Sequence, residues 1–145
     1  MAEMIAAVAA CREGTVAPAL DFAPEVRLYD LSPGGEARHL ETVRPPGRGM
    51  DALLAGRLRR SGAQAVVCGG ISRPMLWMLA ESGMTVYPGV SGPVDRALKK
   101  LSAGELDSMT PGGWRGRGRR AGRRRGRGGR RGGRRGGNNG KGPRR

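Results

Sequence analysis

The sequence predicts an α/β domain built on a mixed sheet of about five strands with three helices. Two short apolar runs, Met4-Ile5-Ala6-Ala7-Val8-Ala9 and residues 63–68, have the pattern of strands buried on both faces. In the second half of the chain, stretches with helical spacing alternate with strands, which predicts parallel pairing through right-handed crossovers. An early pair of alternating segments joined by Ser32-Pro33-Gly34-Gly35 reads as a hairpin, adding an antiparallel strand.

In chain order, the first strand occupies residues 4–9, and a loop with Gly14, Pro18 and Pro24 follows. Glu25-Val26-Arg27-Leu28-Tyr29-Asp30 alternates polar and apolar residues, as a half-buried strand does, and residues 36–43 form its hairpin partner. After a Pro/Gly linker, Met50, Leu53, Leu54 and Leu58 mark one face of a helix over residues 50–61, with Gly62 as its C-cap. Ala63 to Cys68 leads into Gly69-Gly70-Ile71-Ser72, where Ser72 is placed as the N-cap of a helix running to Gly83, with Pro74 in its first turn. Met75, Met78 and Leu79 share the core face of that helix, and Trp77 falls off it. Residues 84–87 form a short strand, and Ser91 is placed as the N-cap of a last helix over residues 93–103.

Composition divides the chain in two. Residues 1–111 carry twelve Lys and Arg against twelve Asp and Glu, whereas residues 112–145 carry fourteen Arg and one Lys with no acid. The net charge of +15 therefore sits wholly in the second part. That part is dominated by Arg and Gly and has only Trp114 as a sizeable apolar group, so it buries too little surface to offset its ordering entropy. The expected organisation is an α/β domain over residues 1–111 and a disordered Arg/Gly-rich tail over residues 112–145. Cys11 and Cys68, the two cysteines, lie far apart in no disulfide framework, which suits a reducing compartment. The apolar run after Glu3 is too short for a membrane span and lacks the basic flank of a signal peptide, so a cytoplasmic location is expected.

The segments Ala65-Val66-Val67-Cys68-Gly69-Gly70-Ile71-Ser72-Arg73-Pro74, Val86-Tyr87-Pro88-Gly89-Val90-Ser91-Gly92-Pro93-Val94 and Leu101-Ser102-Ala103-Gly104-Glu105-Leu106 resemble the dinitrogenase iron–molybdenum cofactor biosynthesis family. The resemblance covers roughly residues 4–106 and implies a ribonuclease-H-like fold and binding of iron–sulfur or iron–molybdenum clusters. Where many members carry an Arg/His-Phe-Gly segment before the second strand, this chain reads Ala19-Leu20-Asp21. Arg-rich C-terminal extensions occur in a subgroup that shares Ile71-Ser72-Arg73-Pro74, and the chain resembles that subgroup.

The resemblance implies a strand order in which the first, fourth and fifth strands are neighbours. The loops around Cys11, around Cys68 to Ser72 and around Ser91-Gly92 then share one rim, at the carboxyl ends of the strands where open α/β sheets bind ligands. Gly69 and Gly70 offer backbone amides to a guest, while Ser72 and Ser91 open helices whose N-termini favour an anion. Cys11, Cys68, Gly69, Gly70, Ser72, Ser91 and Gly92 are therefore the candidate cofactor-binding residues, with Cys11 and Cys68 as the candidate thiolate ligands. Against the functional reading, such glycines also shape ordinary strand-to-helix turns, and a cysteine ending an apolar strand is usually structural. The single histidine, His39, falls at a polar position of the hairpin, where an exposed imidazole with no ligand role is the default.

Catalysis finds no support. Two-metal nuclease chemistry needs carboxylates on the first and central strands, and neither residues 4–11 nor residues 63–70 contain one. No P-loop, G-x-S-x-G or H-E-x-x-H appears. The expected function is a non-catalytic carrier of an iron–sulfur or iron–molybdenum cluster, with a cluster-donor or acceptor protein as partner. The alternative is a nucleic-acid-binding protein acting through its tail. Arg115, Arg117, Arg119, Arg120, Arg123, Arg124, Arg125, Arg127, Arg130, Arg131, Arg134 and Arg135 would pair with phosphates of RNA or DNA without reading sequence, since no Phe or Tyr is interleaved to stack on bases.

Overall fold

The computed structural model describes residues 4–47 and 51–116. Its strands are β1 (Met4–Ala10), β2 (Glu25–Leu31), β3 (Ala37–Val43), β4 (Ala65–Val67), β5 (Thr85–Tyr87), β6 (Ser108–Thr110) and β7 (Gly113–Gly116). The helices are α1 (Asp51–Arg60), α2 (Arg73–Glu81) and α3 (Val94–Ser102), and a 3-10 turn spans Leu20–Phe22. All strands join one sheet in the order β3-β2-β1-β4-β5-β6-β7. β1, β4 and β5 run parallel and adjacent, while β2 is antiparallel to both β1 and β3.

β1 sits inside the sheet because it is apolar on both sides. Ala7 and Ala9 face a core shared with Leu54, Ala55 and Leu58 of α1 and Met75, Leu76 and Leu79 of α2. Ala6, Val8 and Ala10 face a second core, filled by Val94, Ala97, Leu98 and Leu101 of α3. α1 and α2 thus cover one face and α3 the other. Residues 6–10 are fully buried, which matches the continuous apolar run rather than an alternating one. β4 repeats the arrangement, with Val66 toward the first core and Ala65 and Val67 toward the second.

The mixed sheet and three helices stand as expected, with three differences. The sheet has seven strands, because the hairpin β6–β7 continues it beyond β5. Folded structure therefore passes the boundary expected at residue 111 and reaches Gly116, which draws Arg115 into β7. α3 is capped by Pro93 rather than Ser91, because the extended backbone that enters the helix falls two residues later. Leu53, expected on the core face of α1, is 59% exposed, while Leu54, Ala55 and Leu58 face inward. The tail from residue 117 onward, with its expected disorder and phosphate contacts, lies outside the described residues.

Candidate functional site at the carboxyl rim of the sheet

Three adjacent parallel strands end on the same side, so the loops after β1, β4 and β5 meet there. The loop after β1 first turns tightly. The Cys11 amide donates to Thr15 O at 2.8 Å and the Gly14 amide to Cys11 O at 3.0 Å, with Gly14 at φ +100 where a side chain would be strained. The chain then doubles back, and the Ala17 amide donates to Ala9 O at 2.8 Å.

From this position the loop is stitched to both neighbours. Toward α3, the Val16 amide donates to Gly92 O at 2.8 Å and the Val94 amide to Gly14 O at 2.9 Å. Toward α2, the Gly69 amide donates to Ala17 O at 3.2 Å, the Gly70 amide to Pro18 O, and the Leu20 amide to Gly70 O at 2.9 Å. The loops after β4 and β5 close the network, since the Gly89 amide donates to Gly69 O at 2.6 Å and the Val90 amide to Cys68 O at 3.0 Å. The rim is one hydrogen-bonded platform.

The same contacts give the glycines a structural task. A Cβ on Gly69 would stand 2.5 Å from Pro18 O and 2.7 Å from Ala17 O, and one on Gly70 would stand 3.3 Å from Pro18 O. The missing side chains admit the Ala17-Pro18 backbone, and both amides are engaged by it. Gly92 contributes its carbonyl to Val16 and takes φ +91, while Ser91 is exposed.

Ser72 caps α2 as expected, accepting from the Met75 amide at 3.4 Å. An unexpected group joins it. Asp21, at the centre of the 3-10 turn, accepts from the Ser72 amide at 2.9 Å and from Ser72 Oγ at 2.6 Å. The negative end that a helix N-terminus favours is thus supplied by the protein's own carboxylate. Asp21 stands in the slot where the sequence departs from the Arg/His-Phe-Gly pattern. No local signal marks it, because its partner lies 51 residues away.

The two cysteines differ in setting. Cys68 is fully buried, and its thiol is pushed up to about 12, chiefly by desolvation and further by the charge of Asp21. At neutral pH it is a protonated core thiol. Cys11 is half-buried and packs against the α1/α2 core from the rim. Its carbonyl and that of Arg12 each accept from Arg27 Nη2 at 3.2 Å, and Glu25 holds that guanidinium at 2.6 Å. Arg27 thus anchors the Cys11 turn to β2, a role that sequence spacing did not show. His39 lies away from the rim on β3, exposed, paired with Thr42 Oγ1 at 2.9 Å and tilted against the Tyr29 ring.

Among the described residues, no group of three or more His, Cys, Asp or Glu side chains is placed to hold a metal ion. With two cysteines in the chain, a resident cluster on four protein thiolates does not fit. Exposed Arg12 and Arg73 flank the rim, and Cys11 is the thiol at its edge.

Comparison with known proteins places this architecture. Solved structures share the fold. The apo orange protein of Desulfovibrio gigas is 21% identical, with a TM-score of 0.62 over 79% of this chain and 98% of that one. PH0822 is 23% identical, with a TM-score of 0.61 over 71% and 94% of the two chains. Protein mj0327 of Methanocaldococcus jannaschii is 13% identical, with a TM-score of 0.58 over 75% and 97%. No curated protein matches the sequence significantly. The family model described as dinitrogenase iron-molybdenum cofactor matches residues 2–104, which span the elements from β1 through α3 and with them the whole rim. The chain belongs to the dinitrogenase iron-molybdenum cofactor family.

Proposed function

We propose that the protein is a non-catalytic carrier of an iron–sulfur or iron–molybdenum cluster in cofactor biosynthesis, with the cluster as cargo at the carboxyl rim. The observation that supports this reading most is the fusion of the three loops after β1, β4 and β5 into one platform on a domain of this family. The residues proposed to meet the cargo are Cys11, Ser72, Ser91 and Gly92, because the Gly69 and Gly70 amides, expected to face a guest, are taken by the Ala17 and Pro18 carbonyls. Cys11 is the thiol at the edge, and the Ser91-Gly92 turn leads into α3, whose N-cap Pro93 makes no side-chain capping bond. On the α2 side, Asp21 already satisfies Ser72, so an anionic guest settles toward α3 or displaces that carboxylate.

Asp21 has both oxygens engaged by Ser72, and the Cys68 thiol stays protonated at neutral pH. A cluster-donor and a cluster-acceptor protein are the partners such a carrier requires. Anaerobic incubation of the full chain with iron, sulfide and molybdate, then desalting and metal analysis, tests the reading. Retained metal with sulfide-to-metal absorbance, reduced in Cys11→Ser, is expected. A colourless, metal-free protein overturns it.

A further inference from the structure

The family match ends at residue 104, and the hairpin β6–β7 lies beyond it. The hairpin decides where the Arg/Gly tract leaves the domain. β6 runs antiparallel to β5 through Val86 and Met109, and β7 runs antiparallel to β6, with Thr110 paired to Gly113 and Ser108 to Gly116. β7 therefore points the same way as β1, β4 and β5, and Gly116 ends on the side where β5 passes Val86 toward Tyr87. Two strand spacings separate it from β5, about 10 Å. Without the hairpin, or with one strand fewer, the tract would begin at the opposite end of the sheet.

Residues 117–145 then add thirteen Arg and one Lys with no acid, to a domain whose first 111 residues are neutral overall. At about 3.5 Å per extended residue, that length of chain can reach any point on the rim. We infer that the tail is an electrostatic collector for the rim, drawing an anionic sulfide-ligated metal guest toward the loops after β1, β4 and β5. The inference rests on the cargo reading above and adds the reason for the tail. Opposite charge concentrated beside a binding site raises association rates about 10- to 1,000-fold at low ionic strength, and the gain disappears as salt screens it.

The test uses three full-length proteins: the native chain, one with all thirteen Arg of residues 117–145 changed to Gln, and one with the same Arg changed to Lys. The probe is tetrathiomolybdate, a coloured dianion, mixed anaerobically at low salt. Probe still held after desalting into about 0.5 M salt, where tail contacts are screened, counts as rim-bound. Association at least 10-fold slower in the Gln protein, native-like in the Lys protein and equal in all three at high salt is expected. Equal rates at low salt overturn the inference and leave the cargo reading standing. Failure of all three to retain probe overturns both. A Gln protein that loses binding to a single-stranded oligonucleotide while its probe rate is unchanged makes the tail a nucleic-acid element, which also overturns the inference.

Discussion

Gly69 and Cys68 are neighbours in sequence, and opposite physical demands hold them in place. Gly69 is needed for space, because the Ala17 and Pro18 carbonyls occupy the volume a side chain would fill. Gly69→Ala is expected to lower stability by about 1–3 kcal/mol, read as a fall in the urea midpoint. Gly34 has nothing within 4 Å of an added Cβ and no left-handed backbone, so Gly34→Ala should stay within about 0.5 kcal/mol of native. Cys68 is held for its apolar character and leaves a pH signature. Its thiol titrates ordinarily at 9.0 and in the fold at about 12. Between those values the unfolded chain has lost the proton while the folded one keeps it, so stability falls as pH rises, by up to ~1.4 kcal/mol per pH unit. In Cys68→Ala that component is absent. The stability difference between native and variant should be flat below about pH 9 and shrink above it. A difference that stays level to pH 11 would show that the thiol is not desolvated.

Among the elements, the 3-10 turn at Leu20–Phe22 and the start of α2 are coupled through the Asp21 side chain, which accepts from the Ser72 amide and hydroxyl. Asp21→Ala removes acceptors from the Ser72 amide and hydroxyl and should destabilise the fold by about 1–2 kcal/mol. Amide exchange should quicken at the first turn of α2 more than in its last. Legibility follows the range of the forces involved. β1, the β2–β3 hairpin, β4, β5 and the three helices were readable because burial imprints a period on local sequence. β6 and β7 were not, since Ser108-Met109-Thr110 and Gly113-Trp114-Arg115-Gly116 are too short to show one and the second begins the Arg/Gly composition. The Asp21–Ser72 contact and the Ala17–Gly69 approach were equally hidden, because each joins residues about 50 apart with no local pattern. For the candidate site, sequence located the loops that meet but not what holds them together.

At the scale of the molecule, the two ends of the sheet differ in kind. The carboxyl end is the stitched platform with Cys11, Arg12 and Arg73 at its surface, and β7 delivers the cationic tract to that same end. The amino end carries an apolar hollow of about 290 Å³ lined by Met4, Leu31, Pro33, Gln64 and Leu101. No helix among the described residues is long and apolar enough to cross a membrane. Placing the cargo on the carboxyl end is thus a choice between two surfaces of one domain, and hydrogen–deuterium exchange on the full chain with and without tetrathiomolybdate decides it. The expected result is slowed exchange at residues 11–22, 68–72 and 89–94, with the hollow at Leu31, Gln64 and Leu101 unchanged. Protection at the hollow with none at the three loops would contradict the assignment of the rim.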